Sequence, residues 1–148
     1  MYRYKGAGLQ NIWILNGYRI ENTPYGEGAA VEDVEGLHKA IGLHLIDSKP
    51  HLSGAEFRFL RKEMNMSQKF LGQFLGYEDQ TIAIWEKNKG KIPKTVDLFV
   101  RAIYSEYVKK EASMITKMIK RLSDIDRIKN KRKLVFREAE DGWIPSVA

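Results

Sequence analysis

Residues Ser67 to Gly90 read SQKFLGQFLGYEDQTIAIWEKNKG. The stretch predicts two short helices joined by a tight turn. Ser67 can cap the first, Gln68 to Leu75, because its hydroxyl takes an amide that the first turn leaves unpaired. Gly76 follows at the position where a helix ends in a left-handed residue. The second helix spans about Asp79 to Lys87, with Ile82 and Trp85 turned inward at helical spacing. Gly72 presents no side chain, so the second helix can cross the first closely. Asn88-Lys89-Gly90 then breaks the chain. Asp79, Gln80, Ala83, Ile84 and Lys87 are left facing outward. That face suits the major groove of double-stranded DNA. Gln80 can bond adenine N6 and N7 as a pair, Ala83 and Ile84 can touch a thymine methyl, and the Asp79 carboxylate can accept from cytosine N4. Asp79 has a second reading, as the cap of its own helix. Lys87, Lys89, Lys91 and Lys94 can reach phosphates.

Upstream, Ser53-Gly54-Ala55-Glu56 is a capping box that opens a helix to about Met64, with Phe57, Leu60 and Met64 inward. Downstream, Pro93 suits the first turn of a helix through about Lys109. Its predicted buried side is Val96, Phe99, Val100, Ile103, Tyr104 and Tyr107. The N-terminal third reads as mixed α and β. Ile12–Leu15 and Tyr18–Ile20 flank Asn16-Gly17, a strong hairpin signal. Pro24-Tyr25-Gly26 marks a loop, and Ala30-Val31-Glu32 a short strand. Asp33 can cap a helix from Val34 to about Ile46 with an apolar stripe of Val34, Leu37, Ile41 and Leu45. Lys49-Pro50 stops it. Near the other end, Ala112 to Ile128 predicts another helix. Its Ile115, Met118, Leu122 and Ile125 fall at heptad spacing, either packed on the body or forming a dimer interface. Leu134-Val135-Phe136 predicts a strand, and Asp141-Gly142-Trp143 a turn into a second. The expected class is α+β in three parts. These are an N-terminal α+β module (1–52), a helical DNA-binding domain (53–108), and a basic C-terminal helix with short strands (109–148).

The 148 residues carry 25 Lys+Arg against 19 Asp+Glu, a formal net charge of +6. The charge is uneven: −1 over 1–52, +2 over 53–108, +8 over 109–137 and −3 over 138–148. An anionic partner is expected, and the segment 109–137 is itself a candidate nucleic-acid surface or a solvated helix face. With 43% hydrophobic residues the chain can build a core. The absence of cysteine excludes disulfides, thiolate zinc sites and cysteine nucleophiles. His38 and His44 diverge around a helix and His51 lies past a proline, so no metal site is expected. No nucleophile and base can be paired, so neither catalysis nor a cofactor is expected. No apolar run reaches membrane-spanning length, and no signal peptide opens the chain, so a soluble cytoplasmic protein is expected.

Ser67-Gln68, Leu75-Gly76, Thr81-Ile82, Trp85-Glu86 and the basic loop Lys87-Asn88-Lys89-Gly90 together resemble the Cro/phage-repressor-like (XRE) helix-turn-helix family. The resemblance covers 53–108 and implies a lambda-repressor-like helical domain. It also implies that Gln68 anchors on a phosphate and that Asp79, Gln80, Ala83 and Ile84 face bases. The layout is similar to the MqsA-type antitoxins, DNA-binding homodimers with a module before the helix-turn-helix. In that family an Asn and an Arg, four apart, read bases. Gln80 and Ile84 fall on those positions, and Ile84 has no guanidinium. The family's zinc module is missing, and Tyr4 to Gly17 stands in its place. The resemblance implies a homodimeric transcriptional regulator, in first place a repressor. Its alternative is an antitoxin-like module whose N-terminal region binds a toxin and whose DNA binding is autoregulatory.

Overall fold

The computed structural model describes residues 1–109, 117 and 134–146. The predicted helix over 112–128, its Ile115, Met118, Leu122 and Ile125, and most of the basic segment lie outside the described residues. Within them the fold is α+β. Six short strands are β1 (Tyr2–Arg3), β2 (Trp13–Ile14), β3 (Tyr18–Thr23), β4 (Gly26–Val31), β5 (Val135–Ala139) and β6 (Gly142–Ser146). The helices are α1 (Val34–Ser48), α2 (Gly54–Glu63), α3 (Gln68–Leu75), α4 (Asp79–Glu86) and α5 (Lys94–Lys109). The strands form three antiparallel pairs, β1–β2, β3–β4 and β5–β6.

The strand pairing corrects one expectation. Asn16-Gly17 does not join its flanking runs into a hairpin. Trp13–Ile14 pair with Tyr2–Arg3 instead, and Tyr18–Thr23 pair with Gly26–Val31. A type I′ turn needs positive φ at both central residues, and only Gly17 has it, at 77°. The hairpin closes at Pro24-Tyr25, where proline presets the first turn residue. The Thr23 hydroxyl accepts from the Tyr25 amide at 3.3 Å and donates to the Gly26 carbonyl at 2.6 Å. Both C-terminal strands form, but the first runs over Val135–Ala139 rather than 134–136, and the turn is Glu140-Asp141, with Gly142 and Trp143 already in the second strand opposite Ala139 and Glu138.

The helices start where their caps predict. Asp33 accepts from the Gly36 amide at the head of α1. Ser53 and Glu56 complete the capping box of α2. Ser67 accepts from the Phe70 amide, and Gly76 ends α3 at φ 82°. Three inward assignments fail. Val34, the first residue of α1, is exposed, and so are Phe99 and Tyr107 of α5. Phe99 stacks on Phe74 of α3 rather than entering the core.

One hydrophobic core gathers Tyr4 and Leu9 from the N-terminal loop and Ile41, Leu45 and Leu52 from α1 and its exit. Phe57 and Leu60 of α2, Leu71 of α3, Ile82 and Trp85 of α4, and Val100, Ile103 and Tyr104 of α5 complete it. Each large apolar side chain so buried contributes about 1.5–3 kcal/mol. Polar ties cross the 52/53 boundary as well. Asp97 of α5 accepts from the Leu52 amide at 2.8 Å, and Arg101 donates to the Lys49 carbonyl at 2.6 Å. The contact of α5 with α1 is tight: a Cβ at Gly42 would lie 2.0 Å from the Tyr104 hydroxyl.

Candidate nucleic-acid interface

The geometry of α3 and α4 follows from three local devices. Gly72 lets the chain after α3 fold back on it, since a Cβ there would lie 2.5 Å from the Tyr77 carbonyl oxygen. Ile82 and Trp85 anchor α4 in the core, with Ile82 fully buried. Asn88, at φ 56°, ends α4 in the left-handed region. The Lys89 amide reaches back to the Ile84 carbonyl at 3.0 Å and the Asn88 amide to the Trp85 carbonyl at 3.1 Å. That pair of bonds is a Schellman motif. The Asn88 side chain also accepts from the Gly54 amide at 2.8 Å, fastening the end of α4 to the start of α2.

Beneath the surface lies an ion pair that sequence reasoning missed. Arg61 of α2 grips Glu86 of α4 with two bonds, of 2.7 and 2.9 Å, and its side chain also reaches the Met66 carbonyl at 2.8 Å. Gln68 joins them, its amide nitrogen 3.1 Å from Glu86 Oε1. The expected phosphate anchor is therefore held from below and keeps one amide N–H for an outside acceptor. The available signal was Arg and Glu among otherwise apolar inward positions of two helices.

The base-reading candidates share one side of α4. Asp79 and Gln80 are exposed, Ala83 is half-buried and Ile84 is 46% exposed. Asp79 is not the cap of its helix. Glu78 holds that position without a side-chain bond, and Asp79 Oδ1 accepts instead from the Gln80 amide. Lys87, Lys89, Lys91 and Lys94 are all exposed, on the chain leaving α4 and entering α5. A pocket of about 550 Å³ opens between α2, the head of α3 and α4. Arg58, Ser67, Gln68, Ala83 and Lys87 line it, over Arg61 and Glu86. Arg58, exposed on α2, is a cation of this surface that the motif reading did not include. The structure thus brings Ala83, Gln68, Arg58 and Lys87 together, while Asp79, Gln80, Ile84, Lys89, Lys91 and Lys94 lie outside the pocket.

Of the three histidines, His38 is packed into the fold and His44 and His51 are exposed. His38 Nε2 lies 2.6 Å from the Tyr4 hydroxyl, and its Nδ1 meets Glu63. Burial, then the Glu63 and Tyr2 charges, raise the Tyr4 phenol above its ordinary range. Among the described residues no group of three potential ligands could hold a metal ion. No helix among them is long and apolar enough to cross a membrane. No family model, curated protein or solved structure matches the chain.

Proposed function

We propose that the chain is a non-catalytic, sequence-specific transcriptional regulator of the cytoplasm, acting as a repressor. In this reading it binds DNA as a homodimer with α4 in the major groove. The observation that carries the reading is an outward Asp79–Gln80–Ala83–Ile84 set on α4, of which Ala83 shares a pocket with Arg58, Gln68 and Lys87. Base edges are read by such polar and apolar side chains, while cations at the rim fix the register on phosphates. The rigid mounting supports the reading too, because a recognition element must hold its geometry when it meets the groove. Two-fold symmetry calls for a palindromic site with half-sites about one helical turn, roughly 34 Å, or a multiple apart.

The test is a footprint on DNA upstream of the chain's own gene, followed by two variants. Gln80→Ala is expected to cost about 1–3 kcal/mol on the site and relax preference at one position. Lys89→Ala is expected to weaken all sequences alike and lower the salt slope by about 1. Equal loss on specific and random DNA for Gln80→Ala would remove its base-reading role.

A second reading, an antitoxin-like module, is favoured by the N-terminal surface. Trp13, Leu15, Ile20 and Tyr25 are all more than half exposed there. Exposed apolar side chains mark protein contacts where they adjoin. Under it the N-terminal region binds a toxin encoded next door, and DNA binding is autoregulatory. Co-purification of the neighbouring gene's product, abolished by Trp13→Ser with Ile20→Ser while DNA binding persists, is the expected result.

A further inference from the structure

The exposed face of α4 carries a chemical signature that narrows what it can read. Along Asp79–Glu86 its outward side chains include a carboxylate, an amide and an aliphatic chain, and the helix holds no Arg or Lys. The only basic side chain of the element is Lys87, at its C-terminal cap and turned to the pocket lined by Arg58 and Gln68. Guanine is read most often by arginine or lysine paired to O6 and N7. Nothing along Asp79–Glu86 supplies those donors, and Asp79 repels the same two acceptors. Gln80 fits adenine, and Ile84 fits the thymine methyl.

Ile84 is also mounted for contact. It is 46% exposed, which is unusual for a side chain that touches its own scaffold closely. One branch, Cγ2, rests on Gly90, where an added Cβ would lie only 2.9 Å away. Its carbonyl is held by the Lys89 amide. Ile84 thus keeps nearly half its surface open while its backbone carbonyl is held. An aliphatic group held rigid and left bare loses little freedom on docking against another apolar group.

Resting on the reading of α4 as the base-reading helix, we infer that Gln80 and Ile84 read A·T pairs of its half-site, which leaves Asp79 to a cytosine amino group. Ile84 reads a thymine 5-methyl group, and Gln80 reads an adenine within about two base pairs of it. The spacing follows from one helical turn, about 6 Å along α4, against a rise of about 3.4 Å per base pair.

The experiment begins with selection of bound duplexes from a random library by the full chain. An enriched site with an adenine and a thymine within about two pairs, and no fixed guanine between them, is expected. Each thymine of that site is then replaced by deoxyuridine, which removes only the methyl group. At one thymine per half-site the affinity is expected to fall about fourfold, the worth of one buried methyl. Ile84→Ala is expected to bind the thymine and uracil duplexes equally, with the loss at all other positions unchanged. Because the methyl is deleted from the DNA, the result does not depend on whether a variant folds. An enriched site whose thymines can all be replaced without loss overturns the inference and leaves the DNA-binding reading standing. A library from which nothing is enriched overturns that reading itself, and the inference with it.

Discussion

Arg61 and Glu86 show how much of the recognition surface depends on two side chains beneath it. Both are nearly buried, at 10% and 3% side-chain exposure. Removing one partner leaves the other charge out of water and unpaired, which costs about 3–5 kcal/mol. Glu86→Ala is therefore expected to lower unfolding stability by that amount in urea titrations at neutral pH. A loss below about 1 kcal/mol would mean that the pair is not the brace between α2 and α4. Tyr104 makes a prediction about alkali. Burial, then the Glu63 carboxylate and the Tyr107 phenol, push its phenol up to about 12. The folded state thus favours the protonated phenol more than the unfolded chain does, whose pKa is near 10.0. Its stabilising contribution is complete below pH 10 and is lost as pH rises towards 12. Tyr104→Phe is expected to hold its stability further into that window than the parent. Tyr4 shifts the same way, so part of the alkaline loss is expected to remain.

At the scale of the element, α4 is fastened at one end and open at the other. Its N-cap, Glu78, makes no side-chain cap bond, whereas Asn88 closes the C-terminus twice, by its left-handed backbone and by its bond to Gly54. The two contributions separate by substitution. Asn88→Gly keeps the conformation and loses the side-chain bond, while Asn88→Ala loses both. Thermal unfolding is expected to rank the parent above Asn88→Gly and Asn88→Gly above Asn88→Ala, the last lower by about 1–3 kcal/mol. A reversed order of the two variants would show that φ at this position is not the constraint. The helices were legible because their signals are local: Asp33, Ser53, Ser67 and Gly76 each act within a turn of where they stand. The outward set Asp79, Gln80 and Ile84 was legible for the same reason, once Ile82 and Trp85 fixed which side is buried. Strand pairing was not. Tyr2–Arg3 is too short to announce itself, and its capture of Trp13–Ile14 depends on partners distant in sequence. Nor was the Arg61–Glu86–Gln68 link, since three helices must meet before those charges are neighbours.

At the scale of the molecule, the N-terminal third and the helices after residue 53 share one interior. Ile41, Leu45 and Leu52 share the core with Phe57, Val100 and Tyr104, Asp97 accepts from the Leu52 amide, and Arg101 donates to the Ile46 and Lys49 carbonyls. Unfolding followed by far-ultraviolet circular dichroism and by tryptophan fluorescence is accordingly expected to give one coincident transition for this body. Two separated transitions would mean that the core is divisible at residue 52. A chain lacking residues 1–52 is expected to be much less stable, because it exposes the faces of α2 and α5 that α1 covers. The seat of Tyr104 against Gly42 bears on how such a chain can drift. No side chain fits at 42 while a tyrosine stands at 104, and shrinking 104 alone opens a void. Among descendants of this sequence the two positions are therefore tied: a larger residue at 42 should be found only where 104 has become smaller, and lineages that keep Tyr104 should keep the glycine.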